Sequence, residues 1–282
     1  VLVLLAGLFA MSLYGKLFYE GQFMQNVFIT GASSGLGEAI AVQYAAQGAR
    51  LALVGRRRDV LEAVRAKLAN TERHTVYALD VNDHQALQDA AQDFMERCGK
   101  VHIVIASAGI SVGTLSELSE DLPVFRKVME TNVLSTVATF APFIESMKAI
   151  AQQEPCRLVG IASVAGIRGL PGASAYSASK AAVISYCESL RVELQDSGIR
   201  VVTIAPGYID TPMTQVNDYA MPFLMPADAF AKKAISSIAS GVSYRVIPWQ
   251  MGVVAKVLRA LPNFVYDFAF SKAPRKSREL DL

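Results

Sequence analysis

The fold of this 282-residue chain is decided by residues 26–37, which read Asn26-Val27-Phe28-Ile29-Thr30-Gly31-Ala32-Ser33-Ser34-Gly35-Leu36-Gly37. Residues 26–30 are typical of a buried strand, and the pattern beyond residue 35 is helical. Three glycines between them allow a tight turn and a close approach of the backbone. A helix that starts here offers free N–H groups and a positive dipole end to a pyrophosphate. We therefore predict a phosphate site, rather than a purely structural turn, at Gly31, Ser33, Ser34, Gly35, Leu36 and Gly37. The spacing is G-x-x-x-G-x-G, not the commoner G-x-G-x-x-G.

Short apolar runs alternate with helical stretches along the rest of the chain. Strands are predicted over 26–30, 51–54, 75–79, 101–105, 157–161, 199–204 and 244–247. Helices are predicted over 35–48, 58–69, 83–98, 121–150, 174–197 and 227–240. Apolar strands separated by helices indicate a parallel sheet covered on both faces. We predict an α/β chain with a single doubly wound, Rossmann-like domain, whose sheet has about seven parallel strands flanked by helices.

Composition excludes several classes of protein. The chain is 52% hydrophobic and 18% charged with a net charge of +2, which suits a large core and does not indicate nucleic-acid binding. Its three cysteines are far apart and form no C-x-x-C pair, so we expect neither a disulfide framework nor a metal site. This cysteine usage fits a reducing, cytoplasmic environment. His74, His84 and His102 have no metal-ligand spacing and are interpreted as structural or surface residues.

The two ends of the chain differ from its centre. We assign residues 24–248 to the catalytic domain, 1–23 to an apolar N-terminal extension and 249–282 to a C-terminal amphipathic helix with a basic tail. Residues 1–15 carry no charge but are too few to span a bilayer. They are either the remnant of a membrane anchor or a packed or added extension. The C-terminal region would cover the core or a subunit interface, or, less favoured, make a peripheral membrane contact.

Basic residues follow the second strand. Folds that bind NAD usually place an acidic residue about 20 positions beyond the glycine turn, where it binds the ribose hydroxyls. Here Arg56 stands 19 residues after Gly37, with Arg57 beside it. An arginine at this position suits a 2′-phosphate and favours NADP(H) over NAD(H), although an ordinary basic loop is the alternative. Asp80 and Val81, at the end of the third strand, are candidates to contact the adenine.

Tyr176 and Lys180 are spaced so that both lie on one face of a helix. A lysine held near a phenol lowers the pKa of the tyrosine and makes it an effective acid or base. An isolated Y-x-x-x-K is more often a solvated helix face. Here Ser163 precedes the tyrosine by thirteen residues and the glycine turn opens the first strand–helix unit, so the pair is a catalytic candidate.

Taken together, the motifs resemble those of the classical short-chain dehydrogenases/reductases. Thr30–Gly37, Glu130-Thr131-Asn132-Val133, Ser163, Tyr176–Lys180 and Pro206-Gly207 occur in that family's order. The resemblance implies catalytic roles for Ser163, Tyr176, Lys180 and Asn132. It also implies that the nicotinamide is met by the residues Pro206, Gly207, Ile209 and Thr211.

One motif departs from the family pattern. The family often has Asn-Asn-Ala-Gly after the fourth strand, whereas this chain has Ala106-Ser107-Ala108-Gly109. Ser107, Ala108 and Gly109 still allow the cofactor to approach, but the missing asparagine puts some hydrogen bonding of the central sheet in doubt.

The resemblance further implies hydride transfer between NADP(H) and a carbonyl compound or secondary alcohol, with Tyr176 as general acid or base and Asn132 holding a relay water. A homodimer or homotetramer, assembled through the helices that carry Asn132 and Tyr176, is expected. The alternatives are a non-catalytic NADP(H)-binding sensor or scaffold and, with less support from the glycine spacing, an epimerase or dehydratase.

The segment between Gly207 and Pro226 corresponds to the family's lid over the substrate. Its apolar members are Met213, Met221, Phe223, Leu224 and Met225. With Ile167, Leu170 and Pro171 they predict an apolar, lipid-like substrate. The alternative, that these residues only pack the lid on the core, has nearly equal support.

Overall fold

The structure is a computed structural model that describes residues 24–271 together with Ala273 and Arg278. The main strands are β1 (Asn26–Thr30), β2 (Arg50–Gly55), β3 (Thr75–Ala78), β4 (Ile103–Ala106), β5 (Arg157–Ile161), β6 (Arg200–Pro206) and β9 (Tyr244–Ile247), and two short strands are β7 (Ile209–Asp210) and β8 (Met225–Pro226). The helices are α1 (Gly35–Ala46), α2 (Arg58–Lys67), α3 (His84–Cys98), α4 (Leu122–Met129), α5 (Ser135–Phe140), α6 (Ile144–Ile150), α7 (Ser174–Glu193), α8 (Pro212–Gln215), α9 (Ala227–Ala239), α10 (Trp249–Ala260) and α11 (Asn263–Phe270). The predicted extension 1–23 lies outside the described residues.

The seven main strands form one parallel sheet in the order β3-β2-β1-β4-β5-β6-β9. The chain winds outward from β1 to β3, returns to β4 beside β1, and then winds the other way. The strand order therefore reverses between β1 and β4, and a crevice opens there at the carboxyl ends of the strands. The predicted doubly wound fold is confirmed.

Both faces of the sheet are buried, which explains why its strands read as continuous apolar runs. Val27 and Ile29 point into one core layer, where α1, α2 and α9 contribute Ile40, Leu61 and Phe230. The intervening Phe28 points into the other layer. That second layer includes Phe94 of α3, Phe140 of α5 and Leu190 of α7.

The stretch predicted as one helix over 121–150 is nearly continuous but is broken twice. One turn of π-helix spans Glu130–Leu134, and a 3-10 turn at Ala141–Phe143 contains Pro142. By length and hydropathy, Ser119–Ile150 is the one helix among the described residues that could cross a membrane. It packs against α3 and α7 as part of the second layer, so we interpret it as a core helix.

Two histidine rings accept backbone hydrogen bonds at the amino ends of β1 and β2. His102 Nδ1 accepts the Asn26 N–H at 3.0 Å, and His74 Nδ1 accepts the Leu51 N–H at 3.2 Å. Burial is the main cause that lowers the pKa of both rings below 6.5, so both are neutral acceptors at pH 7. His84 begins α3 at the surface. The interpretation of the three histidines as structural or surface residues is confirmed.

The described part of the C-terminal region forms two helices rather than one, separated at Leu261-Pro262. Met251 of α10 packs on Gly207, where an added Cβ would lie 2.6 Å from Met251 Cγ. Arg168 donates to the carbonyl oxygens of Leu258 and Leu261 at 2.8 and 2.9 Å. Its guanidinium also stands 4.0 Å from the ring centroid of Tyr266 in α11.

Candidate active site

The glycine turn between β1 and α1 is packed too closely for side chains. Gly31 has φ +70°, and a Cβ there would lie 2.8 Å from the backbone nitrogen of Ala108. A Cβ on Gly37 would lie 2.2 Å from the carbonyl oxygen of Gly31. The Ser34 side chain does not cap α1, whose first N–H groups therefore remain available to an anion.

Thr30 links the ends of the two central strands at the crevice. Its hydroxyl accepts the N–H groups of Ser107 and Ala108 at 3.2 and 3.3 Å and donates to the carbonyl oxygen of Ile105 at 3.4 Å. The backbone after β4 is thus held from β1. Thr30 therefore supplies hydrogen bonds at the place where the missing asparagine had put them in doubt. The sequence motifs predicted no such role for Thr30.

A cavity of about 600 Å³ runs along the carboxyl edge of the sheet. Every candidate site residue named from the sequence lines it except Asn132, which lies beneath its floor. The lining members are Gly31, Ser33, Ser34, Gly35, Leu36, Gly37, Arg56, Arg57, Asp80, Val81, Ser107, Ala108, Gly109, Ser163, Tyr176, Lys180, Pro206, Gly207, Ile209 and Thr211. Positions more than 150 residues apart in sequence are therefore brought to one cleft.

Arg56 and Arg57 lie where β2 ends, at one end of this cavity, and both side chains are exposed. Gly55 just before them lets the turn approach: an added Cβ would stand 3.4 Å from Ser33 Oγ. Two guanidinium groups therefore lie beside the glycine turn. The first acidic residue after β2 is Asp59, the second residue of α2.

The opposite wall of this end contains groups that the sequence analysis did not identify. Asn82 donates its N–H to Asp80 Oδ1 at 2.9 Å and its amide to Thr131 Oγ1 at 3.1 Å. Asn82 Oδ1 is buried and has no hydrogen-bond partner among the described residues. Lys127 of α4 lines the same wall. Only the fold shows that α4 faces the end of β3, so no local sequence signal marks these residues.

The catalytic candidates meet at the middle of the cavity. Ser163 follows β5, and its Oγ accepts the Ala165 N–H at 3.1 Å. Tyr176 and Lys180 lie one turn apart in α7, and Lys180 Nζ stands 5.8 Å from the centroid of the Tyr176 ring. Lys180 Nζ also donates to the carbonyl oxygen of Ile161 at 2.9 Å. Serine, tyrosine and lysine thus line one cavity.

Close backbone packing holds the serine turn against α7. A Cβ on Gly166 would lie 2.6 Å from the carbonyl carbon of Lys180. On the other side, Thr114 Oγ1 accepts the Ala175 N–H at 3.1 Å and lies 3.0 Å from Ser174 Oγ. The first turn of α7, which carries Tyr176, is therefore fixed from two loops.

The pKa of Tyr176 moves opposite to the expectation from sequence. Burial is the larger cause and raises the pKa of the phenol, while a hydrogen bond with Ser163 acts weakly in the other direction. Burial also lowers the pKa of Lys180 to about 8. The predicted depression of the tyrosine pKa by the lysine is wrong for the protein alone, because both groups lose hydration and the ammonium faces the Ile161 carbonyl.

Asn132 sits in the π-helical turn and its side-chain amide is fully used. Oδ1 accepts the Ile110 N–H at 2.8 Å, and Nδ2 donates to the Ile110 carbonyl at 3.0 Å and to Ser179 Oγ at 2.9 Å. A Cβ on Gly109 would lie 3.1 Å from Asn132 Oδ1 and 3.5 Å from Lys180 Nζ. Asn132 therefore ties the loop after β4 to the helix of Tyr176 and Lys180. Single π-helical turns inside α-helices are frequent at functional sites.

Comparison with known proteins agrees with this geometry. Residues 25–221 match the short chain dehydrogenase family. The chain belongs to that family. An uncharacterized oxidoreductase of Myxococcus xanthus is 35% identical over 247 residues, covering 87% of this chain and 96% of the relative. A 2-dehydro-3-deoxy-L-rhamnonate dehydrogenase (NAD(+)) of Sphingomonas sp. is 37% identical, covering 66% of this chain and 72% of the relative.

Solved structures of the short-chain dehydrogenase family have the same fold. A 3-ketoacyl-(acyl-carrier-protein) reductase from Brucella melitensis, complexed with NADH, superposes with a TM-score of 0.72 at 25% identity, covering 79% of this chain and 96% of that one. This short-chain dehydrogenase is accordingly an NAD(P)-dependent oxidoreductase that acts on CH–OH or C=O groups of small molecules.

The residues present fit a nicotinamide dinucleotide. The first N–H groups of α1 are not capped by the Ser34 side chain, and Ser34, Gly35 and Leu36 line the cavity, which suits a pyrophosphate at this helix end. At the Asp80–Asn82 end, the lone acceptor Asn82 Oδ1 suits an amino donor such as that of adenine. These two features suit chemically different parts of one extended ligand.

Proposed function

We propose that the protein is an NADPH-dependent carbonyl reductase that also runs in reverse as a secondary-alcohol dehydrogenase. The observation that carries the cofactor preference is the pair Arg56 and Arg57 at the end of β2, beside the phosphate turn. A guanidinium binds a 2′-phosphate through charge-assisted hydrogen bonds, whereas NADH offers only hydroxyls there.

The bound nicotinamide supplies the hydride, and the protein supplies position and protons. Ser163 Oγ accepts the Ala165 N–H and also makes a hydrogen bond with Tyr176, so its hydroxyl stands beside the phenol, where it can orient a carbonyl oxygen. Because burial raises the pKa of Tyr176, the phenol is protonated at neutral pH and acts as the acid that a reductase needs. The alkoxide that forms at the former carbonyl oxygen takes the Tyr176 proton and leaves as the alcohol.

Lys180 and Asn132 prepare this proton transfer. With a pKa of about 8, Lys180 is mainly an ammonium at pH 7 and favours negative charge as Tyr176 gives up its proton. The Asn132 side chain is committed to Ile110 and Ser179. The side chain therefore acts as a positioning group that holds the loop after β4 against the helix of Tyr176 and Lys180.

We further propose a ketone or alcohol with an apolar substituent as substrate. Ile110 and Met213 are apolar members of the cavity lining, which supports this. The other expected wall residues lie elsewhere. Phe223 and Leu224 are exposed on the lid, and Ile167 and Leu170 line a separate cleft between the serine loop, α7 and α11.

The cofactor is tested by measuring Kd for NADPH and NADH by quenching of protein fluorescence. In Arg56→Ala we expect NADPH to bind about 10- to 100-fold more weakly, because charge-assisted hydrogen bonds are lost. NADH binding should change less than threefold. Arg58→Ala, at the first residue of α2, is the matched control. Equal weakening of both cofactors would contradict the proposed role of Arg56.

The chemistry is tested with Tyr176→Phe, which should keep NADPH affinity within threefold and lower turnover of ketones by at least 10³-fold. A ketone series of increasing chain length tests the substrate class. Efficiency that does not rise with length argues against an apolar pocket, and full activity of Tyr176→Phe argues against the mechanism.

We also propose a homo-oligomer formed through α4, α5 and α7. Exposed apolar side chains on these helices and the π-turn between them support it: Leu122, Leu134 and Val192. Leu134→Glu should lower the mass measured by light scattering, whereas Val42→Glu on α1 should not. An unchanged oligomer in Leu134→Glu would exclude this interface.

A further inference from the structure

The helix α10 has two apolar faces. Its inner face packs Met251 and Ala255 against the sheet side, with both residues buried. Its outer face carries Trp249, Val253 and Val257 at four-residue spacing, and these are 67%, 52% and 55% exposed. A surface helix that has already buried one apolar stripe normally shows polar residues on the other. The outer stripe therefore needs an explanation other than the core.

The next helix repeats the pattern. Tyr266 of α11 points inward, and its hydroxyl donates to the Gly169 carbonyl oxygen. Phe264 and Phe268, one turn apart, are 75% and 87% exposed. At about 200 Å² per aromatic side chain, Trp249, Phe264 and Phe268 present on the order of 400 Å² of apolar surface, a size that marks interaction sites.

These faces lie at the substrate side of the protein. The start of α10 is held at Gly207, and its end is held by Arg168 of the loop that follows Ser163. The helix thus crosses the carboxyl edge of the sheet, beside the mouth of the cavity. The lid on the same edge exposes Val216, Phe223 and Leu224.

Charge indicates which partner covers this surface. Residues 249–282 contain six basic and three acidic residues, whereas the rest of the chain has a small negative net charge. Exposed Lys256 lies within the outer face of α10, and the sequence after α11 continues with Lys272, Arg275 and Lys276. Arg278 pairs with Glu120 and Asp121, but the other residues of this region still carry a net positive charge, so two copies of the region would repel each other. An anionic bilayer attracts it, and exposed aromatic rings insert at the headgroup level.

We propose that the outer faces of α10 and α11 bind an anionic lipid surface, so that the opening of the active-site cavity lies against that surface. This extends the proposed function, since an apolar ketone would reach the cavity from the bilayer. Binding to lipid does not depend on turnover, so the two proposals can fail separately.

Trp249 is the only tryptophan of the chain and reports on this surface directly. The full chain is mixed with vesicles of phosphatidylcholine alone or of phosphatidylcholine with phosphatidylglycerol, whose negative charge attracts basic surfaces. With the anionic vesicles we expect sedimentation, a blue shift of Trp249 emission and quenching by brominated acyl chains. High salt should weaken the binding, because exposed charges are screened.

The double variant Phe264→Ser/Phe268→Ser should lower vesicle affinity at least tenfold while turnover of a water-soluble ketone stays unchanged. Val42→Ser, an exposed apolar residue of α1, is the matched control and should bind as the parent does. Sedimentation without a Trp249 shift would mean that another segment, such as residues 1–15, holds the lipid, and would overturn the proposal. A blue shift that rises with protein concentration in the absence of vesicles would assign the surface to a second copy and overturn it too.

Discussion

Replacing Gly31 by alanine tests whether the glycine turn and the loop after β4 form one packed unit. Gly31 has φ +70°, a conformation that costs an alanine about 1–2 kcal/mol. The new Cβ would also stand 2.8 Å from the Ala108 nitrogen, and relief of such a backbone overlap costs a further ~1–3 kcal/mol. We expect the free energy of unfolding to fall by about 2–5 kcal/mol in total.

Gly48→Ala is the matched control. Gly48 has φ +84°, yet no heavy atom lies within 4 Å of the position of its Cβ. This variant should lose only the conformational part, about 1–2 kcal/mol. Urea unfolding followed by circular dichroism measures both values, and the difference between them isolates the contact with Ala108.

Cofactor binding gives an independent readout of the same contact. Moving Ala108 weakens its bond to Thr30 and shifts Gly109, which lies close to Asn132 Oδ1 and Lys180 Nζ. NADPH should therefore bind more than tenfold more weakly to Gly31→Ala and normally to Gly48→Ala. If the two variants lose the same stability and bind NADPH equally well, the close packing at Ala108 has no energetic weight and the reasoning is refuted.

Three further predictions concern charge. The kcat/KM for ketone reduction should be flat between pH 6 and 7 and should fall as Lys180 loses its proton near pH 8. In Lys180→Arg this fall should move to higher pH. A pH profile that does not shift in the variant would exclude Lys180 as the source of the fall. The folded pKa values of His74 and His102 lie below 6.5, so the unfolded chain binds more protons in acid than the folded one. The free energy of unfolding should therefore be steady above pH 7 and decrease below about pH 6.5. His74→Gln should make this decrease smaller, and a free energy of unfolding that rises toward acid would contradict the prediction. Arg168→Met removes the hydrogen bonds to the Leu258 and Leu261 carbonyls and should increase hydrogen exchange in residues 249–271 without affecting β1. Arg168→Lys should recover only part of the protection. Exchange that increases equally throughout the protein would argue against a local role of Arg168.

Sequence patterns predicted the sheet well because both of its faces are buried. β1, β5 and β9 have the predicted bounds, and the bounds of the other main strands shift by one or two residues. The differences occur where a tertiary contact ends an element. Strand β4 begins at Ile103 rather than residue 101, and the His102 ring just before it accepts the Asn26 N–H. No periodicity in the sequence shows such a contact.

The site was predictable as a set of residues but not as a set of interactions. Apart from Asn132, the motif residues line one cavity, because they belong to strand ends, to the glycine turn or to α7. The π-turn at Asn132 and the role of Thr30 depend on backbone groups supplied by distant loops. The direction of the Tyr176 pKa was predicted wrongly, since burial, which sequence does not show, is the larger cause and raises it.

The histidine contacts at the amino ends of the strands have a practical consequence for protein engineering. All residues assigned to cofactor and chemistry lie at the carboxyl ends, so the length of the strands separates them from His74 and His102. Substitutions around these histidines can tune resistance to acid without retuning catalysis. The amino ends of the strands can therefore be redesigned for storage and handling, while the carboxyl ends, with the candidate active site, stay unchanged.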